Sequence, residues 1–155
     1  MHRAAEYLTT SLITTLLFAA PALFAQTPST YQAVYEARSA GLSATAERAL
    51  EALPDGEFRL SQRMELRVLG ARLGAAEESS IFSMQAGYPV PQSYFYRRTG
   101  VSRSHETVNF DGANLKANST EDEENWVLDL APGVVDKFSF QLVLRQLFAQ
   151  PDLRE

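Results

Sequence analysis

The 155-residue chain has no cysteine, only two histidines and a single tryptophan. Without thiols it has no disulfide, no thiolate nucleophile and no thiolate metal site, so a folded domain has to rest on packing and backbone pairing. His2 belongs to the N-terminal segment discussed below, which leaves His105 as the sole imidazole beyond it. A histidine zinc site needs more ligands than that. No G-x-S-x-G elbow accompanies His105 and no glycine-rich phosphate loop is present, so neither a Ser-His-Asp hydrolase nor a nucleotide site is legible. Basic charge is also scarce. With 14 Lys and Arg against 19 Asp and Glu, the net charge of -5 argues against a nucleic-acid partner, which needs a basic surface. No spacing singles out a pair of carboxylates. The sequence therefore nominates no catalytic, cofactor-binding or metal-ligating residue, and the expectation is a protein that is not an enzyme.

Long apolar runs are confined to the two ends. The chain opens MHRAAEYLTTSLITTLLFAAPALFAQ, in which Arg3 supplies a positive start and Leu8 to Ala20 an uncharged, mostly apolar stretch. This pattern reads as a secretory signal peptide. A spanning helix needs about 20 predominantly apolar residues, and threonines and Pro21 interrupt this one. Cleavage is expected after Ala25, with the bond after Ala22 as the competitor. Residues 1–25 are then signal and residues 26–155 a single exported β-rich domain, long enough for a hydrophobic core and too short for two. No cysteine follows either cleavage point to carry a lipid, so no stable membrane anchor is expected after processing.

The mature part alternates. From Glu57 to Val68, EFRLSQRMELRV places Phe58, Leu60, Met64, Leu66 and Val68 on one parity and charged residues on the other, with Gln62 the only polar intruder. Period two with one charged face predicts a strand of an antiparallel sheet over a core. Tyr31 to Arg38 is a second strand candidate, and SSIFSMQAG, QSYFYRR, SHETVNFDG and WVLDL supply further short β-branched or aromatic runs. Tyr88, Tyr94, Phe95 and Tyr96 are read first as core and cross-strand residues. The segment GLSATAERALEALPDG carries Leu42, Ala46, Ala49, Leu50 and Leu53 at helical spacing, yet it precedes a Pro54 to Gly56 turn signal and lies between two strands that need partners. By pattern alone, helix and strand balance there. Asn118 to Asn125, NSTEDEEN, is read as a solvated polar loop, because calcium ligands normally alternate with spacers and a turn glycine.

Near the C-terminus, DKFSFQLVLRQLF predicts a helix with Asp136 as N-cap, Ser139 three residues on and Pro151 as the stop. Its apolar residues surround most of the cylinder, the mark of a helix buried in its own fold or in a partner. A membrane-lying helix would need a strongly basic face, and only Lys137 and Arg145 are available.

YQAVYEARSAGLSATAERALEALPDGEFRL, EESSIFSM, YPVPQSYFYRRTG, VNFD and DKFSFQLVLRQL occur in an order that resembles the exported bacterial family known as domain of unknown function 3108. The resemblance covers the mature chain, and its most specific parts are Pro91 with Tyr94 and the set Asp136, Ser139, Leu144 and Arg145. It implies a periplasmic, mainly antiparallel β domain and carries over no activity, cofactor or catalytic residue. It also favours a strand over Leu42 to Leu53. Family members continue with further strands, so the resemblance is to an N-terminal portion, and a C-terminally truncated sheet is expected to leave an unpaired edge and an incompletely covered helix.

The expected architecture is mainly β, a curved antiparallel sheet or partial β-barrel with one C-terminal, largely apolar α-helix on its concave side, with α+β as the alternative if residues 42–53 are helical. The expected function is a non-catalytic binding or carrier module holding an apolar or cell-envelope-derived ligand between sheet and helix. The alternative is a structural or interaction protein of the envelope that adds a partner's strand to an exposed sheet edge.

Overall fold

A computed structural model describes residues 27–149. The segment read as a signal, the cleavage points expected for it and Pro151 lie outside the described residues. Within them, eight strands form one antiparallel meander in the order β1 to β8. These are β1 (Tyr31–Ser39), β2 (Leu42–Ala52), β3 (Glu57–Val68), β4 (Ala71–Gln85), β5 (Tyr88–Gly100), β6 (Ser104–Asp111), β7 (Lys116–Glu121) and β8 (Glu124–Asp129). One helix follows, α1 (Phe140–Ala149). The sheet is curved and unclosed, so β1 and β8 are its two edges.

Turn chemistry explains the meander. Ala40-Gly41, Leu69-Gly70 and Ala86-Gly87 each place two successive residues at positive φ between consecutive strands. That is the two-residue geometry whose twist matches the strands it joins, and glycine at its second position adopts it without strain. Between β2 and β3, Pro54–Gly56 forms one 3-10 turn with Asp55 at φ 66°. After β6, Asp111 accepts hydrogen bonds from the backbone N–H of Asn114 at 3.1 Å and from its side-chain amide at 2.7 Å. These bonds hold the Asp111 carboxyl below the usual range.

The segment with balanced patterns, Leu42–Ala52, is strand, with all eleven residues paired to β3 and nine of them to β1. Its Ala and Glu favour helix locally, and two ladders outweigh that preference. The loop expected over Asn118 to Asn125 is a hairpin instead. Asn118–Glu121 pairs in β7, Glu124 and Asn125 pair in β8, and only Asp122 and Glu123 make the turn. The four acidic residues sit at the hairpin tip, where water screens them, so their charge does not prevent pairing on either side.

Two irregularities shape the centre of the sheet. The β4–β5 register shifts between Ile81 and Phe82, next to Pro89 and Pro91. Since β6 pairs with β5 only from Ser93 onward, both prolines occupy a stretch with one free side, where a missing N–H is tolerated. A second shift between Leu66 and Arg67 lies in the β3–β4 pair.

The core joins Leu50, Phe58, Leu60, Phe82, Tyr94, Val108 and Ala117 of the inner face to Phe138 and Leu142 of the helical segment. Phe58 and Phe82 stack across neighbouring strands at 5.9 Å. Asp136 caps the helical segment as its sequence predicts. Its carboxylate accepts the backbone N–H of Phe138 at 2.8 Å and of Ser139 at 2.9 Å, and its carbonyl accepts that of Phe140 at 3.0 Å. The helix is less enclosed than its composition suggests. Leu142 is buried, whereas Phe140 and Phe148 are 44% and 71% exposed.

Candidate functional site

Register turns the inner face into rows that run across the strands. One row is Leu50, Leu60, Ser80, Tyr94, Val108 and Ser119, each opposite the next. These side chains are buried beneath the helical segment. Here the carboxylate of Asp136 accepts Ser80 Oγ at 2.7 Å and Ser139 Oγ at 2.5 Å. With the two backbone donors, four hydrogen bonds satisfy one buried carboxylate and tie the helix start to β4. Of the residues most specific to the family resemblance, Pro91, Tyr94, Asp136 and Ser139 are buried, whereas Leu144 is half-buried and Arg145 exposed.

The next row is polar: Arg48, Gln62, Glu78, Tyr96 and Glu106 stand opposite one another. Arg48 Nε donates to the Tyr31 hydroxyl at 3.1 Å, and its guanidinium lies 5.3 Å from the Phe138 ring centroid. The Tyr94 hydroxyl donates to Glu78 at 2.8 Å. Burial, then that hydrogen bond and the Glu78 charge, push the Tyr94 phenol far above its ordinary range. Lys137 Nζ pairs with Glu106 at 2.6 Å while sitting 4.7 Å from the Tyr94 ring and 5.4 Å from the Tyr96 ring. A cation over two aromatic faces and beside a carboxylate closes this belt.

Beyond the belt the inner face becomes apolar again. Tyr35, Ala46, Met64, Ala76 and Arg98 form one row, and Ala37, Ala44, Leu66, Gly74 and Gly100 the next. Among the described residues no helix covers them: Met64 is 45% and Leu66 39% exposed. The small residues make a floor with a trough of about 390 Å³, walled by Met64, Leu66, Leu73 and Val101 and bordered by Arg98. At Gly74 a Cβ would sit 2.7 Å from the carbonyl oxygen of Thr99, so the approach of β4 to β5 leaves no room for a side chain. Close approach of this kind is a reason for glycine inside a strand.

The space between sheet and helix, where a ligand was expected, is filled by Phe138 and Leu142 packed on the sheet. The apolar opening lies on the other side of the belt. The trough has no counterpart among the residues singled out by motif. His105 is exposed on the outer face, edge-on to Phe95 at 5.5 Å. Of the aromatic run, Tyr94 is core, Tyr96 half-buried and Tyr88 exposed. Arg145 is exposed on α1. A second depression, on the outer face, is lined by Glu47, Glu51, Arg63 and Glu77, with Glu77 paired to Arg97 at 2.6 Å and Arg63 at 3.9 Å. Among the described residues no group of three or more His, Asp or Glu is placed to hold a metal ion, and no helix is long and apolar enough to cross a membrane. Comparison with known proteins finds no matching family model, curated protein or solved structure.

Proposed function

We propose that the chain is an exported, periplasmic binding module of the domain of unknown function 3108 type, acting without catalysis to hold an apolar or envelope-derived ligand. The observation that carries this reading is the open half of the inner face, mostly apolar over two successive rows and, among the described residues, uncovered beyond the belt. Contiguous exposed apolar surface of this kind marks binding sites more often than it is left idle. Its volume falls in the range of small-molecule sites, about 300–1,000 Å³. The test is native mass spectrometry and dye displacement with an envelope lipid extract, comparing the natural chain with Met64→Glu/Leu66→Glu. Binding by the first and loss in the second is expected. Equal binding by both, or none by either, overturns the reading.

A second reading rests on β8. All six of its residues are exposed, Trp126, Val127 and Leu128 among them, and among the described residues one side of its backbone has no strand partner. Such an edge is a template for strand addition by a partner protein. Val127→Pro, which removes a donor from that strand, is expected to abolish partner capture from a periplasmic extract and to leave lipid binding intact.

A further inference from the structure

The open half is not uniformly apolar, and the one cation among the described residues that line its trough differs from the others on the inner side. Arg48 is engaged with Tyr31 and stacked by Phe138, and Lys137 is paired with Glu106. Arg98 shares the row of Met64 and Ala76, is exposed, borders the trough, and has no carboxylate partner among the described residues. Glu65, the carboxylate that also borders the trough, is already held by Arg67 at 2.6 Å and Arg72 at 3.4 Å. A guanidinium at the rim of an apolar trough, in a chain whose net charge is -5, is a local exception to an acidic molecule. It presents a planar fork of donors that suits a carboxylate.

We infer that the open half takes a single-chain anionic amphiphile, its acyl chain lying along Ala44, Met64, Leu66 and Ala76 and its carboxylate head on Arg98. This rests on the binding reading above and specifies its ligand class. Met64 and Leu66 form a ridge along β3, and the small Gly74 and Ala76 beside it on β4 lead to Arg98 on β5, a strip that gives one chain and its head a common path. Chain burial supplies affinity, and the head supplies orientation and selectivity.

The experiment uses the full mature chain and two probes of equal length, dodecanoate and dodecanol, below their aggregation concentrations, with acetate as a head-only control. Titration calorimetry is run on the natural chain, Arg98→Gln and Met64→Glu, with melting curves to establish that each is folded. Dodecanoate is expected to bind more tightly than dodecanol. Arg98→Gln should weaken dodecanoate about fivefold, the scale of an exposed charge pair, and leave dodecanol unchanged. Met64→Glu should abolish both, acetate should not bind, and lengthening the acid should tighten binding by up to about fourfold per methylene. Equal affinity for acid and alcohol, unaffected by Arg98→Gln, overturns the head-group inference while the apolar reading survives. Failure of both probes to bind folded protein overturns both. Self-association that buries the trough and excludes dodecanoate assigns the face to a second copy of the chain and likewise overturns the inference.

Discussion

Strands β2 to β5 each contribute to both halves of the inner face, and only one half is packed. In the closed half Leu60 and Phe82 are fully buried; four residues along β3, Met64 is 45% exposed. Side-chain chemistry does not explain this, because both halves are apolar. Coverage does. Phe138 and Leu142 pack on the closed half, and among the described residues no helix packs on Met64 and Leu66. The belt of Arg48, Gln62, Glu78, Tyr96 and Glu106 lies beside the start of the helical segment, where Lys137 and Phe138 meet it. It gives the polar groups of the helix start partners and ends the core without an abrupt apolar edge. An alternating sheet makes apolar surface along its whole length, and what lands on it decides which part becomes core.

The contrast can be broken most strongly by deleting atoms from each half in turn. Phe82→Ala should cost about 3–5 kcal/mol of unfolding free energy and Met64→Ala less than about 1 kcal/mol, because only the first leaves a cavity. Urea denaturation of the two variants checks this, and similar costs would mean that the open half is also packed in solution. Next in size is the latch that holds the helical segment. Asp136→Ala removes a cap and leaves two buried hydroxyls and two backbone donors without their acceptor, which should cost about 3 kcal/mol. Ser80→Ala, which removes one donor to the same carboxylate, should cost about 1 kcal/mol in the same measurement.

The hydrogen bond from Tyr94 of the buried row to Glu78 of the belt makes a smaller, pH-dependent contribution. The Tyr94 phenol is raised in the folded state, so its contribution is complete below the unfolded value of about 10 and is lost as pH rises above it. Tyr94→Phe should therefore lose about 1 kcal/mol at neutral pH and show a flatter decline than the natural chain in melts above about pH 10. The smallest effect is expected outside both halves. The Asp111 carboxyl is lowered by its bonds to Asn114. Its contribution is present above about pH 4 and fades as pH falls through and below the ordinary carboxylate range. Asp111→Asn should narrow the difference from the natural chain in acid and leave trough binding untouched.

Much of the fold was legible residue by residue. The alternation of Glu57–Val68 marked β3 from end to end, and Asp136 announced the start of the helical segment. Leu42–Ala52 was not decided by pattern, because its helical spacing and its place between two strands pull in opposite directions. The hairpin through Asn118–Asn125 was hidden because polar residues can pair when their outward face is wet, so polarity alone did not mean loop. The site was harder still. Gln62 stood out as the polar intruder on the apolar parity of β3, and that was a true signal of the belt. Its meaning needed Arg48 and Glu78 beside it, and those lie 14 and 16 positions away in sequence, brought opposite by register.

By itself, then, the chain determined what depends on neighbours along the backbone: strands from period two, tight hairpins from Ala-Gly and Leu-Gly pairs, and a helix start from Asp136. The alignment of polar side chains into one belt, the packing of Phe138 and Leu142 onto one end and the exposure of Met64 and Leu66 at the other were decided only by the tertiary structure. The physical reason is that alternation specifies which face of a strand is apolar, while inter-strand register and the placement of a docked helix specify how much of that face leaves water.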